Sequence, residues 1–91
     1  MAQTHIVKRK GHSEKFDERK IYLSCFASCR VVGIPDRQNE KICSSVTKGA
    51  RAWIRNRREV KSKDILKFVV ASLKKHSKEA AFMYETHKDI S

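Results

Sequence analysis

Lys8, Arg9, Gly11, Glu14, Asp17 and Lys20 are the residues whose types and spacing could do chemistry, with Val7 leading into them. Lys8, Arg9 and Lys20 offer positive charge to phosphate oxygens, and Gly11 lets backbone amides approach an anion. Glu14 would repel phosphate, but a carboxylate can accept a hydrogen bond from a base amino group or a ribose hydroxyl. The set can therefore serve both ends of a nucleotide. Its spacing is not that of a P-loop. The plainer alternative is a charged hairpin in which Glu14 pairs with a lysine, and the residues alone leave both readings open.

Such a set needs a turn held beside a helix start. His5 to Arg9 and Ser13 to Phe16 flank Lys10-Gly11, which predicts a β-hairpin with a two-residue turn. Asp17 predicts the N-cap of a first helix, with Glu18 favourable to its dipole. Ile21, Cys25, Cys29 and Val32 recur at helical spacing, with Phe26 alongside. Gly33 closes that helix and Pro35 prevents it from resuming. Pro35-Asp36 opens a second helix. Ile42, Cys43, Val46, Ala50 and Trp53 mark its inner face; Arg37, Lys41, Lys48, Arg51 and Arg55 mark its wet one. Gly49 is expected at a close helix crossing.

Val60-Lys61 reads as a brief extended piece that could lie against the hairpin. Ser62 predicts the next N-cap, with Asp64 in the first turn. Ile65, Val69 and Leu73 form the third stripe, extended by Phe68 and Val70. Ser77 predicts the cap of a last short helix carrying Ala80, Ala81, Met83 and Tyr84. The expected fold is α+β and mainly helical: an N-terminal β-hairpin, with room for a third tiny strand, covered by a four-helix body. The expectation is a single domain over residues 1–91, with its core over roughly 5–88.

A chain of 91 residues makes one compact domain. Its formal net charge of +11 implies a polyanionic partner or environment: nucleic acid, nucleotide phosphates or an acidic surface. No apolar run is long enough to span a bilayer and no signal peptide is evident, so the expectation is a cytoplasmic protein without a membrane partner. The three cysteines lack metal-ligand spacing and are expected to pack as small apolar groups, with no metal site. Acidic residues are few and unpaired, and no pattern marks a nucleophile. The four histidines, at 5, 12, 76 and 87, are scattered. Catalysis is therefore not expected.

Val7-Lys8-Arg9-Lys10-Gly11, then Glu14, then Phe16-Asp17-x-x-Lys20-Ile21, resembles the opening signature of the ATP-cone domain. Glu59-Val60-Lys61-Ser62-x-Asp64-Ile65 resembles its second marker, and Glu79-Ala80-Ala81 with Tyr84 its closing helix. The resemblance implies a small regulatory module that binds ATP or dATP, with Mg2+ as an accompanying ion. Such modules occur in ribonucleotide reductase large subunits and in the bacterial repressor of reductase genes. There, nucleotide binding changes oligomeric state, and with it enzyme activity or DNA binding. By resemblance, Val7, Lys8, Arg9 and Gly11 belong to the nucleotide-contacting hairpin. Lys8, Arg9 and Lys20 are phosphate ligands, Glu14 and Asp17 serve the base end, and Ser62 is a further polar contact. The implied partners are an adenine nucleotide, further copies of the chain, and a regulated protein.

The chain departs from the family pattern in three places. Lys10 stands where Asp is usual, and Leu66 where some members carry His. Ser77-Lys78 stands where a Pro is common. No zinc ribbon or reductase barrel flanks the motifs, so a stand-alone cone or a fragment is expected. The rival reading is a basic nucleic-acid-binding module built on Arg51, Arg55, Arg57 and Arg58, with Tyr22 as an exposed aromatic. A third is an interaction domain that has lost nucleotide binding.

Overall fold

The computed structural model describes residues 5–7, 13–55 and 57–86, and the side chains of these except 13 and 14. Three strands and four helices follow in the order β1 His5–Val7, β2 Ser13–Lys15, α1 Glu18–Val31, α2 Asp36–Ile54, β3 Glu59–Lys61, α3 Ser62–Lys74 and α4 Lys78–Thr86. The fold is α+β and mainly helical, as expected.

The strands form one sheet in the order β2-β1-β3. β1 pairs antiparallel with β2, and parallel with β3. The brief extended piece at Val60-Lys61 is thus a strand, laid beside β1. The hairpin register is His5↔Lys15, Ile6↔Glu14 and Val7↔Ser13. Paired numbers sum to 20, whereas an uninterrupted ladder closed by a two-residue Lys10-Gly11 turn would make them sum to 21. The described pairing therefore does not match the expected turn; the turn itself lies outside the described residues.

Asp17 caps α1 as expected: its Oδ1 accepts from the Arg19 backbone N–H at 3.0 Å. At the other end Gly33 has φ +86, a conformation that costs glycine little. The Gly33 N–H donates to Arg30 O at 3.0 Å and the Ile34 N–H to Cys29 O at 3.1 Å. This paired closure satisfies carbonyls that the helix end would otherwise leave bare. It also reverses the chain, so that α2 packs back along α1. Pro35 then precedes α2, its carbonyl accepting from Asn39 N–H at 2.8 Å.

The core takes Ile21, Cys25 and Cys29 from α1; Ile42, Cys43, Val46, Ala50 and Ile54 from α2; and Val60 from β3. It is completed by Ile65, Val69, Val70 and Leu73 from α3, with Ala80 and Ala81 from α4. Ile6, Phe16, Val32 and Leu66 pack against it, half-buried. Asn39, Thr47 and Ile54 are also buried, which the sequence reading missed.

Three expectations need correction. Ser62 is not an N-cap but the first residue of α3; Lys61 occupies the cap, with extended backbone at φ −73, ψ 141. Lys61 still belongs to β3, so the strand runs directly into the helix one residue early. Gly49 is not forced by a tight crossing: a Cβ there would lie 3.7 Å from the Phe68 ring, an ordinary contact. Tyr22 is not an open stacking platform but half-buried, 6.0 Å from Phe26 between ring centroids. Ser77 does cap α4, accepting from the Ala80 N–H at 3.1 Å.

Candidate functional site

Of the expected ligand residues, Val7 and Ser62 lie at the sheet end of the molecule. Val7 lies between Ser13 and Lys61 in register, so the end of β1 abuts the start of α3. Ser62 follows at once, half-buried in the first turn of α3. No side chain among the described residues caps this helix. Its first amides therefore have no side-chain cap, a setting that suits an anion, although Asp64 already sets a carboxylate in this first turn.

The start of α1 differs. Asp17 accepts from Arg19 N–H, from Arg19 Nε at 3.2 Å and from Arg19 Nη2 at 3.4 Å. The Arg19 guanidinium bonded to Asp17 holds its carboxyl below the usual carboxylate range. The Asp17 carboxylate is thus occupied by its own helix. Lys20 is exposed in the same first turn, three residues on. Glu14 has the register position opposite Ile6, whose other neighbour is Val60. Lys8, Arg9 and Gly11, expected to contact the ligand, lie outside the described residues, as does the Glu14 side chain.

Beside edge strand β3 an open cleft of about 270 Å³ is lined by Val7, Trp53, Arg57, Glu59, Val60, Lys61 and Asp64. Sequence reasoning took Trp53 for core and did not place this cleft. Trp53 is half-buried and stacks on Phe68, with ring centroids 5.0 Å apart. The Arg57 guanidinium lies 4.7 Å from the Trp53 ring centroid, and its Nε donates to Trp53 O at 3.2 Å. Arg51 pairs with Glu18 at 3.2 Å, tying α2 to the start of α1. Two of the arginines of the basic cluster are thereby committed within the chain.

The cysteines behave partly as expected. All three are free and fully buried. The sequence did not show that their sulfurs converge: the three Sγ atoms lie within 4.8 Å of one another. Cys43 Sγ is 3.0 Å from Cys25 Sγ and donates to Asn39 Oδ1 at 3.0 Å. The Asn39 amide donates onward to Phe26 O at 3.0 Å. The hydrogen bond with Cys43, together with burial, pushes the Cys25 thiol far up, and burial pushes Cys29 up to about 11. A signal was available: Cys25 lies nine residues before Ile34 and Cys43 nine after, so a tight reversal there brings them level.

Among the described residues, a short three-stranded sheet joined to a four-helix body defines a small, mainly helical α+β module. The ATP cone domain family matches residues 4–86, and the chain belongs to that family. ATP-cone domains are nucleotide-binding regulatory modules that bind adenine nucleotides. Among curated proteins nothing matches the chain. No helix of the described residues is long and apolar enough to cross a membrane.

Proposed function

We propose that this chain binds ATP or dATP, with Mg2+, at the sheet end, and acts as a regulatory module rather than a catalyst. Val7, Lys8, Arg9 and Gly11 of the hairpin, with Lys20 of α1, embrace the phosphates. Glu14 serves the base end. Ser62 and the first amides of α3 supply further donors. The observation that supports this reading is the register of β1 on β3, which sets Val7 beside Lys61, the residue that leads into a helix start with no side-chain cap. Asp17 contributes by capping α1 and so fixing Lys20, more than by touching the base, because Arg19 holds its carboxylate.

Nucleotide binding then changes how the chain associates with further copies or with a regulated protein, including a regulator of transcription. The exposed apolar side chains Leu23 and Val31 on α1, and Phe82 on α4, support an association surface. The proposed unit is a single domain over residues 1–91, working in the cytoplasm.

Calorimetric titration with ATP and dATP in Mg2+ tests the reading, on wild type and on Lys8→Ala/Lys20→Ala. Saturable binding by wild type, weakened about tenfold or more in the double variant, is expected. Absence of binding at millimolar nucleotide sinks it. The net charge of +11 favours one other reading, duplex nucleic acid. Duplex binding that falls steeply with salt, without nucleotide binding, would install that rival instead.

A further inference from the structure

The buried sulfur cluster stands apart from the nucleotide site. Cys25 and Cys29 are one helical turn apart on the inner face of α1, and Cys43 faces them from α2. All three are fully enclosed, and their Sγ atoms fall within 4.8 Å of one another. A pyramidal ion with a lone pair, bonded to three sulfurs at about 2.3 Å, needs them roughly 3.5 Å apart. Small rotamer adjustments would bring these three to that spacing.

We propose that Cys25, Cys29 and Cys43 form a three-thiol site for a thiophilic trivalent ion of the arsenic(III) class, held in three-coordinate geometry between α1 and α2. The donor set is soft, which selects thiophilic ions over magnesium or calcium. Charge then chooses among thiophilic ions. Three thiolates around a monovalent ion would carry a net charge of −2, and around a divalent ion −1. An uncompensated charge of either size is costly in an apolar core. A trivalent ion leaves the site neutral. Zinc would also want a fourth ligand.

The reaction is a condensation: As(OH)3 with three thiols gives As(S-Cys)3 and three waters. Three S–H and three As–O bonds break, while three As–S and three O–H bonds form. Each thiol proton leaves with one hydroxide, arsenic stays trivalent, and no electron moves. The bound ion ties α1 to α2 near the middle of both helices. Asn39, already hydrogen-bonded to Cys43 and to Phe26 O, lines the site and holds the neighbouring backbone.

The test uses the full chain, reduced with a phosphine that offers no competing thiol, and sodium arsenite as the probe. Arsenite is added to the folded chain and, separately, during refolding from urea. Native mass spectrometry is expected to show one arsenic per chain, with a raised melting temperature. Cys29→Ala and Cys43→Ala, each confirmed folded by circular dichroism, are expected to lose arsenic affinity by about tenfold or more. Cys25→Ala serves in place of either if one fails to fold. Uptake by neither route, or undiminished uptake in a folded single variant, overturns the proposal. Preferential uptake of zinc or copper(I) from an equimolar mixture overturns the charge argument that selects the ion.

Discussion

The sheet end and the α1–α2 hairpin treat their polar groups in opposite ways. At the sheet end, strands of three residues bury one side chain of β3, Val60, and leave its neighbours Glu59 and Lys61 in solvent. The α3 start carries no side-chain cap among the described residues. In the α1–α2 hairpin, Asn39 and the three thiols are sealed from water, and Asn39, Cys43 and Cys25 are bonded to one another or to backbone. A reversible, water-soluble ligand is served by donors that remain uncommitted at the surface. A buried and satisfied cluster instead contributes to stability, and admits a ligand only if the ligand replaces its internal bonds. The two regions should therefore respond separately: changes in the hairpin should move stability, and changes at the sheet end should move nucleotide affinity.

The largest effect is expected from Ile42, buried on the inner face of α2. Ile42→Ala should lower unfolding free energy by about 2–5 kcal/mol in urea titrations, with nucleotide affinity of the folded fraction unchanged. A parallel loss of affinity would show that the two regions are not separable. Asn39→Ala comes next. It removes the bonds to Phe26 O and to Cys43 and should cost about 1–3 kcal/mol by the same measurement.

The pH dependence locates the thiols within this contrast. The Cys29 thiol is pushed from 9.0 up to about 11 by burial, so between those values the folded chain holds a proton that the unfolded chain releases. Stability conferred by the buried neutral thiol is complete below pH 9.0 and lost as pH rises toward about 11. Urea melts at pH 8 and pH 10.5 should differ accordingly, and Cys29→Ala should reduce that difference. A slope unchanged in Cys29→Ala would assign the pH effect elsewhere: first to the Cys25 thiol, pushed further up by its hydrogen bond with Cys43 and by burial, and then to Tyr84, pushed by burial up to about 12.

Two smaller changes sharpen the sheet end. Lys61→Ser places a preferred cap on backbone already extended at φ −73, ψ 141, and should raise stability by roughly 1 kcal/mol. If the α3 amides serve the nucleotide, calorimetry should show weaker binding despite the stabler fold. Unaltered binding would remove those amides from the site. Gly49→Ala should be the mildest, stabilising by about 0.5–1 kcal/mol, because a Cβ meets Phe68 only at ordinary contact distance. A drop in melting temperature instead would mean that Phe68 cannot accommodate the methyl group.

Much of the fold was legible because local chemistry announces helix ends. Asp17, Gly33, Pro35 and Ser77 act through neighbouring backbone, and each operates where its type predicts. Ser62 misled because the strand before it extends one residue further than hydroxyl preference suggests. The pairing of β1 with β2 was not legible either: it depends on which residues meet across the two strands, and a Gly in the turn does not reveal that. Of the candidate site, the cations and Glu14 could be read as a set by type, but not the uncapped α3 start or the cleft beside Trp53.

The sequence by itself determined the number and order of helices, the inner face of each, the excess of positive charge and the family motifs. These follow from spacing within one turn of helix, or from residue type alone. Only the tertiary structure decided what meets across elements: Val7 with Lys61, Arg51 with Glu18, Arg57 on Trp53, and three thiols in one place. Such meetings depend on chain reversal at Gly33 and on strand register, which are settled when the whole core is buried at once.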